Sequence, residues 1–188
     1  MRGLSGSSGR CGADLELDLA RLFEVLDRHQ VAYVLIGGLA AVYHGSPFPT
    51  EDVDITPQTD RANLARLVSA LIELDARVRT ESEPQGLPFA VDADSLAAAQ
   101  TWNLTTTAGD LDLSFTPAGT GGYPDLRKDA VVVELYGASV PVTSLADVVR
   151  SKQAANRPKD QRVLPTLREI LARGSGEPGP GSANDRPG

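Results

Sequence analysis

Between Val31 and Ile55 the chain runs through an apolar segment, a glycine pair, a short helical stretch, a loop and an acidic strand. Val31 to Ile36 is short and β-rich, and reads as a buried strand. Gly37-Gly38 ends it, Leu39 to His44 has the look of a short helix, and Val53 to Thr56 is a second strand. Side chains alternate across a strand, so Asp52 and Asp54 project from one face. Two adjacent carboxylates repel each other, and the pair persists only if water or a cation neutralises it. All-oxygen ligands suit Mg²⁺ or Mn²⁺. The chain has two histidines, His29 and His44, and one cysteine, Cys11, so a metal site here is built from carboxylates. Gly37 and Gly38 carry no side chain, which leaves backbone N–H groups and a helix start open to a phosphate. An anion cradle beside metal carboxylates suits a Mg²⁺-triphosphate.

A third acid follows on a later strand. In Gly109-Asp110-Leu111-Asp112-Leu113 the leucines point to the core, so Asp110, Asp112 and Ser114 share the opposite face. Asp110 is a backup ligand by position, but its place beside a turn favours a solvent role. Three carboxylates on adjacent strands can hold two ions, one on an attacking hydroxyl and one on a departing pyrophosphate.

The remaining elements frame this centre. Asp14 is expected to cap a helix running to about Gln30, with Leu15, Leu19, Leu22, Phe23 and Leu26 on one face. Thr59 or Asp60 caps a long helix through Leu74, and Thr80 to Pro88 is a polar loop. Trp102 to Thr106 and Asp110 to Phe115 form a hairpin, Thr116 to Pro124 is a Gly-rich loop, and Val131 to Tyr136 and Ser139 to Val142 are two further strands. Ser144 caps a helix with Asp147 at the capping-box position, and a last helix spans Pro158 to Gly174. Interleaved strands and helices give an α/β (α+β) class: a small mixed sheet flanked by helices, with a C-terminal helical segment. The expected organisation is a flexible N-terminal tail (1–13), a catalytic core (14–143), basic helices packed on it (144–173) and a disordered Gly- and Pro-rich tail (174–188).

Of 188 residues, 25 are acidic and 18 basic, a net charge of −7 that opposes general nucleic-acid binding. From Arg150 to Arg173, however, seven basic residues face only Asp160 and Glu169, so this flank is +5 and the rest −12. No apolar run reaches the roughly 18 residues of a membrane span, and no secretory leader is visible. A cytoplasmic location is expected.

The stretch "LIGGLAAVYHGSPFPTEDVDI" resembles the signature of the DNA polymerase β-like nucleotidyltransferase superfamily. Its Ala-Val-x-His-Gly run and Thr-x-Asp-h-Asp ending, with "SLADVVRSKQAANRPKDQRVLPTLREIL" near the C-terminus, are similar to AbiEii and MenT-type toxins of bacterial toxin–antitoxin systems. The resemblance spans about Val31 to Leu171. It implies that Gly37 and Gly38 hold a triphosphate, that Asp52, Asp54 and Asp112 bind two Mg²⁺ or Mn²⁺ ions, that Lys152 touches nucleotide phosphates and that Asp160 is a functional acid. It implies transfer of a nucleotide, CTP first, to the 3′ end of tRNA, with the basic flank seating the acceptor stem. A cognate antitoxin, kinase-type in some relatives, would phosphorylate Thr50. Relatives carry an Arg where this chain has Phe48, and Arg157 or Arg127 is expected to substitute. Two alternatives stand beside this: a small-molecule (aminoglycoside-like) or protein nucleotidyltransferase, and a non-catalytic nucleotide-binding or antitoxin-like module.

Overall fold

A computed structural model of the chain describes residues 17–89 and 92–174. Helix α1 (Leu19–Arg28) is capped by Asp18, whose carboxylate accepts the Arg21 backbone N–H at 3.0 Å. The expected cap, Asp14, lies outside the described residues, as do Leu15 and Cys11. Leu22, Phe23, Val25 and Leu26 put the apolar stripe of α1 into the core. Strand β1 (Tyr33–Ile36) is followed at once by α2 (Gly37–Tyr43), so the glycine pair opens the helix instead of preceding it. A loop leads to β2 (Asp52–Pro57) and α3 (Arg61–Glu73), whose cap is Asp60. Asn63 in the first turn of α3 is fully buried. It accepts the Ala32 N–H and donates to the carbonyls of Ala32 and Gln58, locking this helix to the outer ends of β1 and β2.

Three short elements have no counterpart in the expected order: β3 (Arg77–Val78), α4 (Ala93–Ala98, capped by Asp92) and, beginning at the end of the Gly-rich loop, α5 (Tyr123–Leu126). The hairpin β4 (Thr101–Thr106) and β5 (Gly109–Ser114), the hairpin β6 (Val131–Leu135) and β7 (Ala138–Val142), and helices α6 (Leu145–Ala155) and α7 (Pro158–Gly174) fall where the sequence places them. Ser144 caps α6: its hydroxyl accepts the Asp147 N–H and donates to the Asp147 carboxylate. Asn156, at φ +50°, turns the chain sharply between α6 and α7, and Pro158 restarts the helix.

The seven strands form one mixed sheet in the order β3-β4-β5-β2-β1-β7-β6. β1 is antiparallel to β2 and parallel to β7, and β2 is parallel to β5. Helices α1 and α3 pack on each other, while α2 contacts β2 and α6, and α6 contacts α7. Leu35, Val53, Ile55, Leu111 and Leu113 are fully buried at the centre of the sheet. Among the described residues no helix is long and apolar enough to cross a membrane.

Candidate active site

The site lies where β1 runs into α2. Gly37 has φ +67°, a conformation that favours glycine, and a Cβ there would stand 2.6 Å from Cγ of Asp54. A Cβ on Gly38 would stand 2.8 Å from Cβ of Thr50. Both glycines are therefore required by the close approach of β2 and its leading loop to the helix start. The Gly38 N–H lies near enough to the Asp54 carboxylate to favour its charged form.

Parallel pairing of β2 with β5 sets Asp52 opposite Asp110 and Asp54 opposite Asp112. One oxygen each of Asp52, Asp54 and Asp112 lies within 4.8 Å of the others, and all three side chains are partly buried. The Thr50 hydroxyl donates to Asp52 Oδ1 at 2.7 Å. Burial, then the neighbouring Asp52 and Asp112 carboxylates, push Asp54 up to about 6, against the opposing pull of the Gly38 N–H and Lys159. Burial likewise raises Asp112; Arg79 opposes it and Asp52 adds to it. Three hard oxygen donors brought this close together fit a divalent cation of the Mg²⁺ or Mn²⁺ kind.

Facing the acids is a basic wall from the elbow between α6 and α7. Asp160 is fully buried and pairs with Lys152 Nζ at 3.2 Å and Arg157 Nε at 2.6 Å. Burial pushes this carboxyl up, but the hydrogen bonds from Arg157 and Lys152 together hold it below its ordinary value. Lys152, Arg157 and Lys159 line the cavity, whose volume is about 600 Å³, and Asp160 stands behind them as the acid that positions the first two. The cavity is also lined by Gly37, Gly38, Thr50 and the three acids, and by Thr101, Asn103 and Ser114 on the β4–β5 face.

Phe48 lines the cavity, as does Arg157, whereas Arg127 lines a separate shallow recess with Asp60 and Tyr123 and does not stand in for the missing arginine. The His44 ring N–H donates to the Thr143 carbonyl at 2.8 Å and ties the end of α2 to the end of β7. Trp102 stacks on Phe89 and donates to the Leu96 carbonyl, a packing role. Asp110 is not a solvent residue: it pairs with Arg79 Nε at 3.2 Å, while Arg79 Nη2 reaches Asp112 Oδ1 at 3.0 Å. Arg79 is the residue that sequence reasoning missed, since its approach depends on the pairing of β3 with β4.

The basic flank is largely engaged. Arg150 pairs with Asp125 and Asp147, and Arg173 with Glu169; Arg168 bonds Gln153. Lys159 and Arg162 make no ion pair among the described residues.

This mixed sheet flanked by helices is a fold shared with solved nucleotidyltransferases. It resembles the lincomycin-bound crystal structure of the lincosamide antibiotic adenylyltransferase LnuA, with a TM-score of 0.53 and 16% identity, covering 82% of this chain and 99% of that one. A solution structure of the antibiotic-resistance factor ANT(2'')-Ia is 14% identical, with a TM-score of 0.48 over 82% of this chain and 88% of that chain. An antigenic nucleotidyltransferase-like protein from Paracoccidioides brasiliensis is 16% identical, with a TM-score of 0.48 over 85% of this chain and 76% of that one. No protein-family model and no curated protein matches the chain.

Proposed function

We propose that the chain is a metal-dependent nucleotidyltransferase that moves the nucleoside monophosphate of an NTP to an acceptor hydroxyl. The observation that carries this is the convergence of Asp52, Asp54 and Asp112 on one cavity, opposite Lys152, Arg157 and Lys159. Asp52 and Asp54, with Asp112, would hold the divalent cations, which when bound neutralise the triphosphate and clamp the attacking and leaving oxygens. Lys152 and Arg157, fixed by Asp160, orient the β- and γ-phosphates. The bond formed joins the acceptor oxygen to the α-phosphorus. The bond broken is that between the α-phosphorus and the oxygen bridging to the β-phosphorus, and pyrophosphate carries away that electron pair. Asp112, its carboxyl raised by burial, takes the hydroxyl proton.

In-line displacement sets nucleophile and leaving group on opposite sides of the α-phosphate. With pyrophosphate at the α6–α7 wall, the acceptor enters along β4–β5, over Thr101, Asn103 and Ser114. The cation nearest that face, Arg79, is already paired with Asp110 and Asp112. Such a wall suits a neutral or cationic polyhydroxyl compound, and a small-molecule acceptor of the antibiotic kind is the first reading.

A second reading keeps the tRNA 3′ end as acceptor and CTP as donor, with growth arrest as the outcome and a cognate antitoxin as partner. It is favoured by Lys159, a cavity-lining cation that makes no ion pair among the described residues, with Arg162 three positions on along α7. One experiment separates the two. The purified chain is incubated with each labelled NTP, Mg²⁺ or Mn²⁺, and a panel of aminoglycosides, lincosamides and total tRNA. A nucleotidylated antibiotic supports the first reading, and a 3′-extended tRNA the second. No transfer to any acceptor overturns the enzymatic reading and leaves a nucleotide-binding module.

A further inference from the structure

Arg79 reaches the acids from two strands away. It follows β3, and its backbone N–H donates to the Asn103 carbonyl at 2.8 Å. The register that sets Val78 opposite Leu104 places Arg79 across from Asn103, and Asn103 pairs with Asp112. Arg79, Asn103 and Asp112 thus form a row across β3, β4 and β5, and the long arginine side chain spans β4 to reach β5. Its Nη2 donates to Asp112 Oδ1 at 3.0 Å. Its Nε lies 3.2 Å from Asp110 Oδ2, yet the N–H is not aimed at that oxygen and stays buried without a hydrogen-bond partner. Charge attraction to two carboxylates, more than a full fork of hydrogen bonds, holds the guanidinium there.

Around it, Asp52 opposite Asp110 and Asp54 opposite Asp112 make a block of four acids on adjacent strands. Among the described residues, Arg79 is the one cation ion-paired with any member of this block. One oxygen of Asp112 is engaged by a positive group before any metal arrives.

We propose that Arg79 is the resident counter-cation of this block, a positioning residue that keeps the acids together without metal and weakens their grip on a divalent ion. The inference rests on the metal-dependent transferase reading above. A fixed positive charge about 6 Å from a dication changes its affinity by about tenfold, even at the dielectric of water. An exchangeable metal follows: Asp112 would be shared between Arg79 and the ion.

The test is Mn²⁺ binding without nucleotide, by calorimetry at one mildly alkaline pH, on the full chain and on Arg79→Gln and Arg79→Lys. Arg79→Gln is expected to bind Mn²⁺ about tenfold more tightly than the wild type. Arg79→Lys, which keeps the charge, is expected to bind as the wild type does. In chelator Arg79→Gln should melt below the wild type, with Mn²⁺ raising its midpoint by more than it raises the wild type's. Unchanged or weaker binding by a folded Arg79→Gln overturns the proposal. If Arg79→Gln is unfolded without metal, refolding on addition of Mn²⁺ supports the proposal, and failure to refold overturns it. Absence of Mn²⁺ binding in the wild type and both variants overturns the metal-dependent reading itself, a different outcome from equal affinities.

Discussion

Replacing Asp54 by Asn is expected to stabilise the metal-free protein, and only above a defined pH. In the folded chain this carboxyl is pushed from 3.8 up to about 6, by burial first and then by Asp52 and Asp112. A group that is harder to ionise in the fold than in the unfolded chain destabilises the fold wherever it is charged. That cost is absent below pH 3.8, grows as the pH rises towards about 6, and is constant beyond. It amounts to about 3 kcal/mol, each pK unit being worth about 1.4. The amide introduced by Asp54→Asn cannot ionise and is close to the carboxylate in size. For a chain of this size, about 3 kcal/mol corresponds to a rise in Tm of about 6–12 °C. The assay is thermal unfolding in chelator, followed by circular dichroism from below to above that window. Above it Asp54→Asn melts higher than the wild type; below it the two coincide. Mn²⁺ then raises the wild type more than the variant and narrows the gap, while the variant loses nucleotidyl transfer. A variant no more stable than the wild type above the window, or equally stabilised on both sides of it, refutes the electrostatic account.

Asp160→Ala leaves Lys152 and Arg157 without their buried partner and should lower stability by about 3–5 kcal/mol in denaturant titrations. Because its carboxyl is held below 3.8, Asp160 adds stability that is present above that value and is lost as the pH falls through its folded value. Gly37→Ala meets both the φ of +67° and the Asp54 carboxylate; a loss of about 1–3 kcal/mol and of transfer is expected, and an active, stable variant would contradict the packing described. Thr50→Glu removes the hydroxyl bonded to Asp52 and sets another carboxylate beside it, so Mn²⁺ affinity should change by about tenfold or more and transfer should fall. Phosphate at Thr50, with about −1.5 to −2 charges, should act in the same direction, and wild-type rates from Thr50→Glu would end the idea of a switch there.

The order of the main elements was legible because their signals are local. The alternation Asp110, Leu111, Asp112, Leu113 appears as alternating partly buried and buried positions on β5, and of the apolar positions on α3 Leu64, Leu67 and Leu71 are buried while Ile72 is exposed. Strand β3 has two residues, α5 four and α4 six, too few for a period to show. The start of α2 was misplaced by two residues because Gly37 and Gly38 have poor helix propensity. What fixes them in the first turn is the approach of Asp54 and Thr50, which no local window contains.

The acids were legible and the cations were not, for a reason that bears on the acceptor. A carboxylate's face follows from strand alternation, but a cation's availability depends on what the fold brings against it. Arg150 finds Asp125 and Asp147, Lys152 and Arg157 find Asp160, and Arg173 finds Glu169. Of seven basic residues in the flank, these four are ion-paired, and Lys159, Arg162 and Arg168, the last bonded to the neutral Gln153, make no ion pair among the described residues. If single-stranded RNA bound through all seven, the logarithm of its affinity would fall with the logarithm of salt at a slope of about −5. With only Lys159, Arg162 and Arg168 outside ion pairs among the described residues, the slope is about −2. Fluorescence anisotropy of a labelled tRNA 3′ fragment over a salt series measures it, and Lys159→Ala with Arg162→Ala should flatten what slope there is. A slope near about −5 would show that RNA opens the internal ion pairs and would restore the whole flank as a nucleic-acid surface.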